Sequence, residues 1–403
     1  MFRSRTEAIG EGEFIALTAF LISLVALSID TMLPALSVIG NDLGVNKAND
    51  NQLIISAIFL GMAFGQVVYG PLSDSVGRKP AIYLGIGIFI AGSLISLFAT
   101  NFTAMLFARL LQGLGIAAPR IVTMALIRDK FAGNEMARIM SFVVTLFILV
   151  PVIAPVLGQI IISYSHWRLI FALFVLLAVI TLIWLAVRQP ETLIAEKRIP
   201  LSFSRVVDAV KEVCANRTAF GYTLTSGFLS GLFLAFLNSS PQILQEQYRL
   251  GVMFPLYFAT LCIALGLATF MNGKIVLLYG MRLLCHRGLF LFSGLSLLFL
   301  FPAYSYDGHP PLWAFMTYMS FAFFALGIVY GNLNALAMEP LGHIAGVGAA
   351  VIASLSTFMS LPIGILIGHS YNGSVMPLIL GFTGCGLSCI ALVIWTEKTA
   401  EKE

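Results

Sequence analysis

Gly70-Pro71-Leu72-Ser73-Asp74-Ser75-Val76-Gly77-Arg78-Lys79 is a short charged stretch between two long apolar runs, residues 53–69 and 81–99. Its two glycines permit a tight reversal of the chain. Pro80 suits the first turn of a following helix, where its missing N–H costs nothing. Arg78 and Lys79 stand at the edge of an apolar run, which argues for a turn on the cytoplasmic side of a membrane. A worn copy lies 203 positions later, in residues 272–282, where Gly70, Gly77 and Lys79 correspond to Gly273, Gly280 and Arg282. Leu277 stands where the first copy has Asp74. The chain therefore reads as two similar halves, of which only the first keeps the acid.

Composition sets the solvent. Of 403 residues, 59% are hydrophobic and 10% are charged, whereas a soluble protein carries about 25% charged residues. Too few charges remain to cover a water-facing surface, and the apolar runs have the length of helices rather than strands. The expected class is an all-α integral membrane protein. The net charge of +4 is spread over many short loops and does not suggest nucleic acid. The cysteines, Cys214, Cys262, Cys285, Cys385 and Cys389, form no C-x-x-C pair. They read as small buried apolar residues, with no disulfide framework and no metal site. No cofactor is expected. The first apolar run is too long for a cleaved signal and is expected to stay as an anchor.

Twelve runs of about 20 residues or more are each long enough to cross ~30 Å of hydrocarbon. They fall near 14–39, 52–72, 80–100, 102–127, 137–164, 167–188, 219–237, 254–272, 284–304, 312–338, 348–369 and 377–396. The expected organisation is a six-helix bundle in residues 1–189, a cytoplasmic linker in 190–218 and a second six-helix bundle in 219–403. The linker contains Pro190, Pro200 and an amphipathic piece at 203–213. With the N-terminus inside, eighteen of the 23 Lys and Arg fall on the inner side, among them Arg3, Arg5, Arg78, Lys79, Arg128 and Lys402. Lys47, Arg168 and Arg249 fall outside, and Arg109 and Arg120 lie within a helix. That asymmetry places both termini in the cytoplasm, and the even helix count agrees.

Ionisable groups inside a membrane are costly and mark function by default. Asp30 lies in the first run; Arg109, Gln112 and Arg120 lie in the fourth. A helical rise of ~1.5 Å per residue puts Asp30 roughly 24 Å and Arg109 roughly 28 Å above the inner helix ends. The two would share a layer. A guanidinium favours an ionised carboxylate and dry surroundings favour a neutral one, so a carboxyl between them is poised to exchange a proton. Arg120 follows Arg109 by nearly three turns, on the same face but ~16 Å nearer the cytoplasm. Arg109, Gln112 and Arg120 would line a polar path.

Each has a plainer reading. Asp30 would be a headgroup-layer acid, Arg109 a brace binding carbonyls, and Arg120 a snorkelling side chain. Asn238, Gln242, Asn332 and Asn334 are candidates for substrate contact, with helix–helix hydrogen bonding as the alternative. In the fifth run, Pro151 and Pro155 lie four apart and Gly158 follows. The prolines remove backbone donors on one face and bend the helix, while the glycine admits a close neighbour.

Together these features resemble the major facilitator superfamily. Residues 70–79 are similar to its signature between the second and third helices, and Arg109-x-x-Gln112-Gly113 to its fourth-helix signature. Pro151 to Gly158 resembles the fifth-helix signature of twelve-helix drug:proton antiporters, with Gln159 in place of a second glycine. Asp30-x-x-x-Pro34, Arg128-Asp129, Trp167-Arg168, Pro190-Glu191-Thr192-Leu193 and Ser240-Pro241 look like the bicyclomycin/chloramphenicol resistance branch. The resemblance implies a monomer in the bacterial inner membrane, with two bundles rocking about a central cavity. It implies proton-coupled export of small, largely apolar compounds, with Asp30 as proton carrier and Arg109 and Gln112 as its partners. Gly70, Asp74, Gly77, Arg78, Lys79, Arg128, Asp129, Pro151, Pro155 and Gly158 would form the conformational switch.

Other functions remain open at this stage. A dedicated exporter of one metabolite or siderophore fits nearly as well, and a nutrient symporter fits less well. An enzyme is not expected, because no H-E-x-x-H or G-x-S-x-G motif occurs. A receptor or scaffold would not need Asp30 and Arg109 at matching depth.

Overall fold

The computed structural model describes residues 9–398; Arg3, Arg5 and Lys402, counted above on the inner side, lie outside the described residues. All regular structure among the described residues is helical. The helices are α1 (Glu11–Asp30), α2 (Leu36–Asp42), α3 (Leu53–Val76), α4 (Arg78–Leu97), α5 (Phe102–Lys130), α6 (Gly133–Tyr164) and α7 (Arg168–Arg188). They continue as α8 (Phe203–Ala215), α9 (Arg217–Pro241), α10 (Phe254–Tyr279), α11 (Met281–Ser305), α12 (Leu312–Met338), α13 (Ala345–His369) and α14 (Met376–Glu397). Among the described residues, eleven continuous segments are long and apolar enough to cross a membrane, and one of them, Leu312–His369, runs for 58 residues. That segment bends at Leu341 (φ −109°, ψ 21°) between α12 and α13 and so supplies two crossings. The twelve expected spans are present, the first of them made by α1 and α2 in succession.

The chain packs as two compact units. The first holds residues up to Ala35 together with Ala57–Val206, and the second holds Leu36–Ser56 and everything from Val207 on. In the first unit, α5 lies against α3 and α4 at very short range. A Cβ added to Gly113 would overlap the Ile58 carbonyl, and one on Gly115 would overlap the Phe89 backbone. Small residues let membrane helices approach closely where apolar burial against lipid supplies no drive. In the second unit, α9 packs on α13 and α14, and α12 on α10 and α11. Phe236, Phe258 and Phe323 form its aromatic centre, with ring centroids 4.9 and 5.9 Å from Phe236.

Three local departures from expectation position the site. The first span is not one helix. After Asp30 the backbone tightens, with the Met32 N–H bonding to the Ile29 carbonyl, and a 3₁₀ turn Leu33–Ala35 precedes α2. Pro34 has no N–H to continue the ladder. The stretch 70–79 is not a ten-residue turn either. The helix α3 runs through Gly70 and Pro71 to Val76, and the chain changes direction at Gly77 alone. Helical hydrogen bonding satisfies backbone groups that an open loop at a membrane boundary leaves to water. The worn copy does the same, α10 running to Tyr279 and the chain turning at Gly280. Finally, α9 ends in one π-helical turn, Gln242–Gln247.

The linker is partly ordered. A 3₁₀ turn, Ala195–Lys197, is followed by α8, which buries Ala209 and Val213. In the second unit, Glu212 of α8 lies 2.6 Å from Nε2 of His343.

Candidate functional site

The first unit carries a buried polar chain through its helices. Asp30 is the last residue of α1 and is 5% exposed; Arg109 and Gln112 of α5 are fully buried. The tightened backbone after Asp30 turns the Met32 N–H to Ile29, which leaves the Ser28 carbonyl for Arg109, whose Nη2 donates to it at 2.9 Å. Arg109 Nη1 donates to Gln112 Oε1. The Gln112 amide donates to Ser93 Oγ of α4 at 2.9 Å, and Ser93 donates to the Phe89 carbonyl at 2.8 Å. Asp30 and Arg109 do share a layer of one unit. The guanidinium, however, takes a carbonyl two residues before Asp30 and the Gln112 amide. Among the described residues, no hydrogen bond or ion pair reaches the Asp30 carboxyl. On α6, Gly158 lies against the same break: a Cβ there would overlap the Thr31 carbonyl and come within 3.0 Å of Pro34. Gln159 turns aside to Ser163 at 3.2 Å, so a second glycine is not needed for this approach. Pro151 and Pro155 are carried within the single helix α6. Arg120, further along α5, is half-buried and apart from this chain of hydrogen bonds.

At the other end of the first unit, Arg78 is the hub. Its Nε donates to Asp129 Oδ2 at 2.9 Å, and its Nη1 to Ser73 Oγ at 2.9 Å and to Asp74 Oδ1. The side chain is 4% exposed. Charged hydrogen bonds of this kind are the strong ones. Gly77, with φ 110° and ψ 160°, occupies a backbone region open essentially to glycine alone. Lys79 Nζ reaches the Ala186 carbonyl at 3.2 Å, and Arg128 is exposed. Gly70 lies inside α3 and takes no part in the change of direction; its carbonyl accepts from Ser73 Oγ.

The candidate polar residues of the second unit divide into two groups. Asn238 and Gln242 join a buried cluster with residues 49–56. Gln52 Nε2 donates to Gln242 Oε1 at 2.6 Å and to the Gly368 carbonyl at 3.1 Å. Gln242 Nε2 donates to Asn49 Oδ1 at 2.8 Å, and Asn238 Nδ2 donates to the Gly364 carbonyl at 3.2 Å and to Ser56 Oγ at 3.3 Å. His369 Nε2 lies 3.2 Å from Asp50 Oδ1 at the rim. Tyr371 donates to the Gln242 carbonyl at 3.3 Å. Burial, with Glu246 nearby, pushes the Tyr371 hydroxyl up to about 12, so it remains a donor at neutral pH. Asn332 instead exchanges hydrogen bonds with Asn272 of α10, at 2.9 and 3.2 Å, and Asn334 caps back onto the Tyr330 carbonyl.

Sequence reasoning passed over Ser28, Ser93, Asn49, Gln52 and Asn272. Ser28 and Ser93 act through oxygens that only the fold aligns. Gln52, a polar residue at the head of an apolar run, was the visible signal among them. A shallow apolar groove of about 380 Å³ at the end of α4, lined by Leu94, Ile95 and Phe98, contains none of the expected site residues. Among the described residues, no group of three His, Cys, Asp or Glu converges as a metal site does.

Twelve membrane-length spans with a buried Arg, a buried acid and a glycine turn between the second and third define a polytopic membrane protein. The chain belongs to the Major Facilitator Superfamily, whose family model matches residues 18–362. It is similar to a bicyclomycin resistance protein homolog of Haemophilus influenzae, 28% identical over 393 residues and covering 96% of each chain. A chloramphenicol resistance protein of Pseudomonas aeruginosa is 28% identical over 409 residues, covering 96% of this chain and 94% of the relative. Among solved structures, the xylose transporter XylE of E. coli shares the fold with a TM-score of 0.70 at 16% identity, over 95% of this chain and 96% of that one. The human organic anion transporter MFSD10 does so with a TM-score of 0.69 at 16% identity, over 96% of this chain and 98% of that one.

Proposed function

We propose that this chain is a proton-coupled antiporter that exports small, largely apolar compounds from a bacterial cell, working as a monomer by alternating access. The observation that carries this is Asp30: a buried carboxyl at the break between α1 and α2, beside Arg109 yet free of any hydrogen bond among the described residues. An acid held this way has no structural duty that a neutral side chain would not perform as well. Its relatives named for bicyclomycin and chloramphenicol resistance support the substrate class.

The chemistry is competitive. Substrate favours the deprotonated carboxylate, and protonation from outside favours release, so the two ligands bind the two conformations differently, as coupling demands. Exchange of a neutral compound for one proton moves a charge inward, a gain of ~2.3 kcal/mol per 100 mV. Both termini are taken as cytoplasmic, following the distribution of Lys and Arg. The Arg78 cluster would then latch one conformation from the cytoplasmic side.

A resistance panel in a drug-sensitive bacterial host tests this, with wild type and Asp30→Asn compared at matched membrane levels. The panel includes chloramphenicol-like, bicyclic peptide-like and cationic compounds. The expected result is protection by the wild type against several neutral compounds and by the variant against none. Equal protection by both removes Asp30 as carrier. Protection by neither removes the broad-drug function and leaves export of a single metabolite.

A further inference from the structure

Arg78 is not the only group holding the hinge. The first four N–H groups of a helix have no partner inside it and carry partial positive charge. A capping side chain at the preceding residue ordinarily serves them. In α4 that preceding residue is Gly77, which has none. The seat is filled from far along the chain, by Glu191. Its Oε1 accepts from the Arg78 N–H at 3.0 Å, and its Oε2 accepts from the Lys79 N–H at 3.0 Å. The same Oε1 accepts from the N–H groups of Thr192 and Leu193 at 2.9 and 3.0 Å. Four main-chain donors from two separate segments thus converge on one carboxylate. The missing side chain at Gly77 makes the room, since a Cβ there would come within 2.7 Å of Glu191 Oε2.

The segment carrying Glu191 is stitched to the switch residues on both flanks. Thr192 Oγ1 donates to Asp129 Oδ2 at 3.1 Å, and the Ile199 N–H donates to the Asp74 carbonyl at 3.0 Å. Asp74, Arg78 and Asp129, three of the five charged residues of the switch, therefore all touch this strap. A carboxylate that only closed its own turn would need the Thr192 and Leu193 amides alone. The two bonds to α4 are additional, and they tie the strap to the helix that starts at Gly77.

We propose that Glu191 is a positioning residue for the transport cycle: a removable anionic plug in the N-terminus of α4 that holds the hinge in one conformation and must leave and re-enter at each turnover. This rests on the chain being an alternating-access transporter. Removing the plug changes the rate of interconversion and not the recognition of substrate.

The test uses the full-length protein in inside-out vesicles. A reporter, Leu193→Cys, is placed in a Cys214→Ser background, because Leu193 is buried beside the plug and Cys214 is an exposed thiol. Labelling by a hydrophilic maleimide is compared with Glu191 intact, Glu191→Gln and Glu191→Asp. Expected are labelling about tenfold faster in Glu191→Gln, the scale of one lost charge-assisted hydrogen bond, and an intermediate rate in Glu191→Asp. Efflux measured in the same variants without the reporter should show a lower maximal rate at unchanged KM. Unchanged labelling in Glu191→Gln overturns the proposal. So does faster labelling accompanied by a changed KM and an unchanged maximal rate. If the wild type moves none of the compounds offered, the transport function fails, while the labelling rates still decide whether Glu191 holds the strap. Comparison of Glu191→Asp with Glu191→Gln keeps the test intact if one variant folds poorly.

Discussion

Gly77 and Gly280 lie 203 positions apart and hold nearly the same backbone, φ 110° and ψ 160° against φ 76° and ψ 158°. What surrounds them is different. Around Gly77 stand Asp74, Arg78, Asp129 and Glu191, in contact and largely shielded. Around Gly280, Leu277 is 84% exposed, and Arg282 reaches Glu339 at 3.3 Å with both side chains about half exposed. A Cβ on Gly280 would meet nothing within 4 Å. The acids at or just past the end of the last helix of each half differ as well. Glu191 serves the first amides of α4, whereas Glu397 of α14 accepts from Tyr222 at 2.6 Å and lies 2.8 Å from His286 of α11. The shape of the turn therefore does not require the charges, because the second copy keeps the shape without them. In the first copy the charges tie the turn to α5 and to Glu191 through largely shielded contacts, whereas the second copy has one exposed pair.

The largest effect expected from this difference is at the two arginines. Arg78→Ala leaves Asp74 and Asp129 facing a buried vacancy and should lower stability by roughly 3 kcal/mol. Arg282→Ala removes an exposed pair and should cost no more than about 1 kcal/mol. Denaturant midpoints of the two variants in micelles make the comparison, and equal losses would break it.

The glycines come next. Both occupy a region that other residues enter at a cost of about 1–3 kcal/mol, so both alanine variants should lose stability. Gly77→Ala should lose more, because its Cβ also displaces Glu191. Glu191→Ala removes the group that the new Cβ displaces, so the double variant should lose less than the two single losses added together, by about 0.5 kcal/mol or more, which a double-mutant cycle reads as coupling. Zero coupling would mean that the plug and the hinge are independent.

The smallest effect is at Leu277→Asp, which restores the missing acid to the second copy. Position 281 is Met, so no guanidinium stands where Arg78 stands in the first copy. The stability should change by no more than about 0.5 kcal/mol, as at other exposed sites. A large gain would show that the acid alone builds the clamp.

Much of the fold was legible in the chain itself. Helix-length apolar runs gave the twelve crossings, and the glycine spacing gave the two related hinges. Counting residues at the helical rise put Asp30 and Arg109 in one layer, which the bond from Arg109 to the Ser28 carbonyl bears out as a matter of geometry. The partner of Arg109 was not legible, because it is a main-chain oxygen released by a break after Asp30. Pro34 entered only as part of a motif, and the first run was read as one unbroken helix. The extent of α3 was misjudged because glycine and proline together read as a loop, whereas the membrane boundary favours continued helix through Val76. Glu191 was visible only as part of a motif. Its role depends on two segments more than a hundred residues apart meeting at a glycine. For Asn332 the helix–helix alternative is the one observed, but its partner Asn272 was not legible in the chain.

The bond from Arg109 to the Ser28 carbonyl has a consequence for how this protein tolerates change over generations. A side-chain acceptor is lost whenever its codon drifts. A main-chain acceptor survives every substitution at its own position that leaves the local backbone as it is. Position 28 is fully buried, so it accepts other small residues while the anchor it provides stays fixed. The vulnerability moves to Pro34 and Gly158, which keep the backbone open at Thr31. Natural variants should accordingly accumulate at Ser28 before they appear at either of those two.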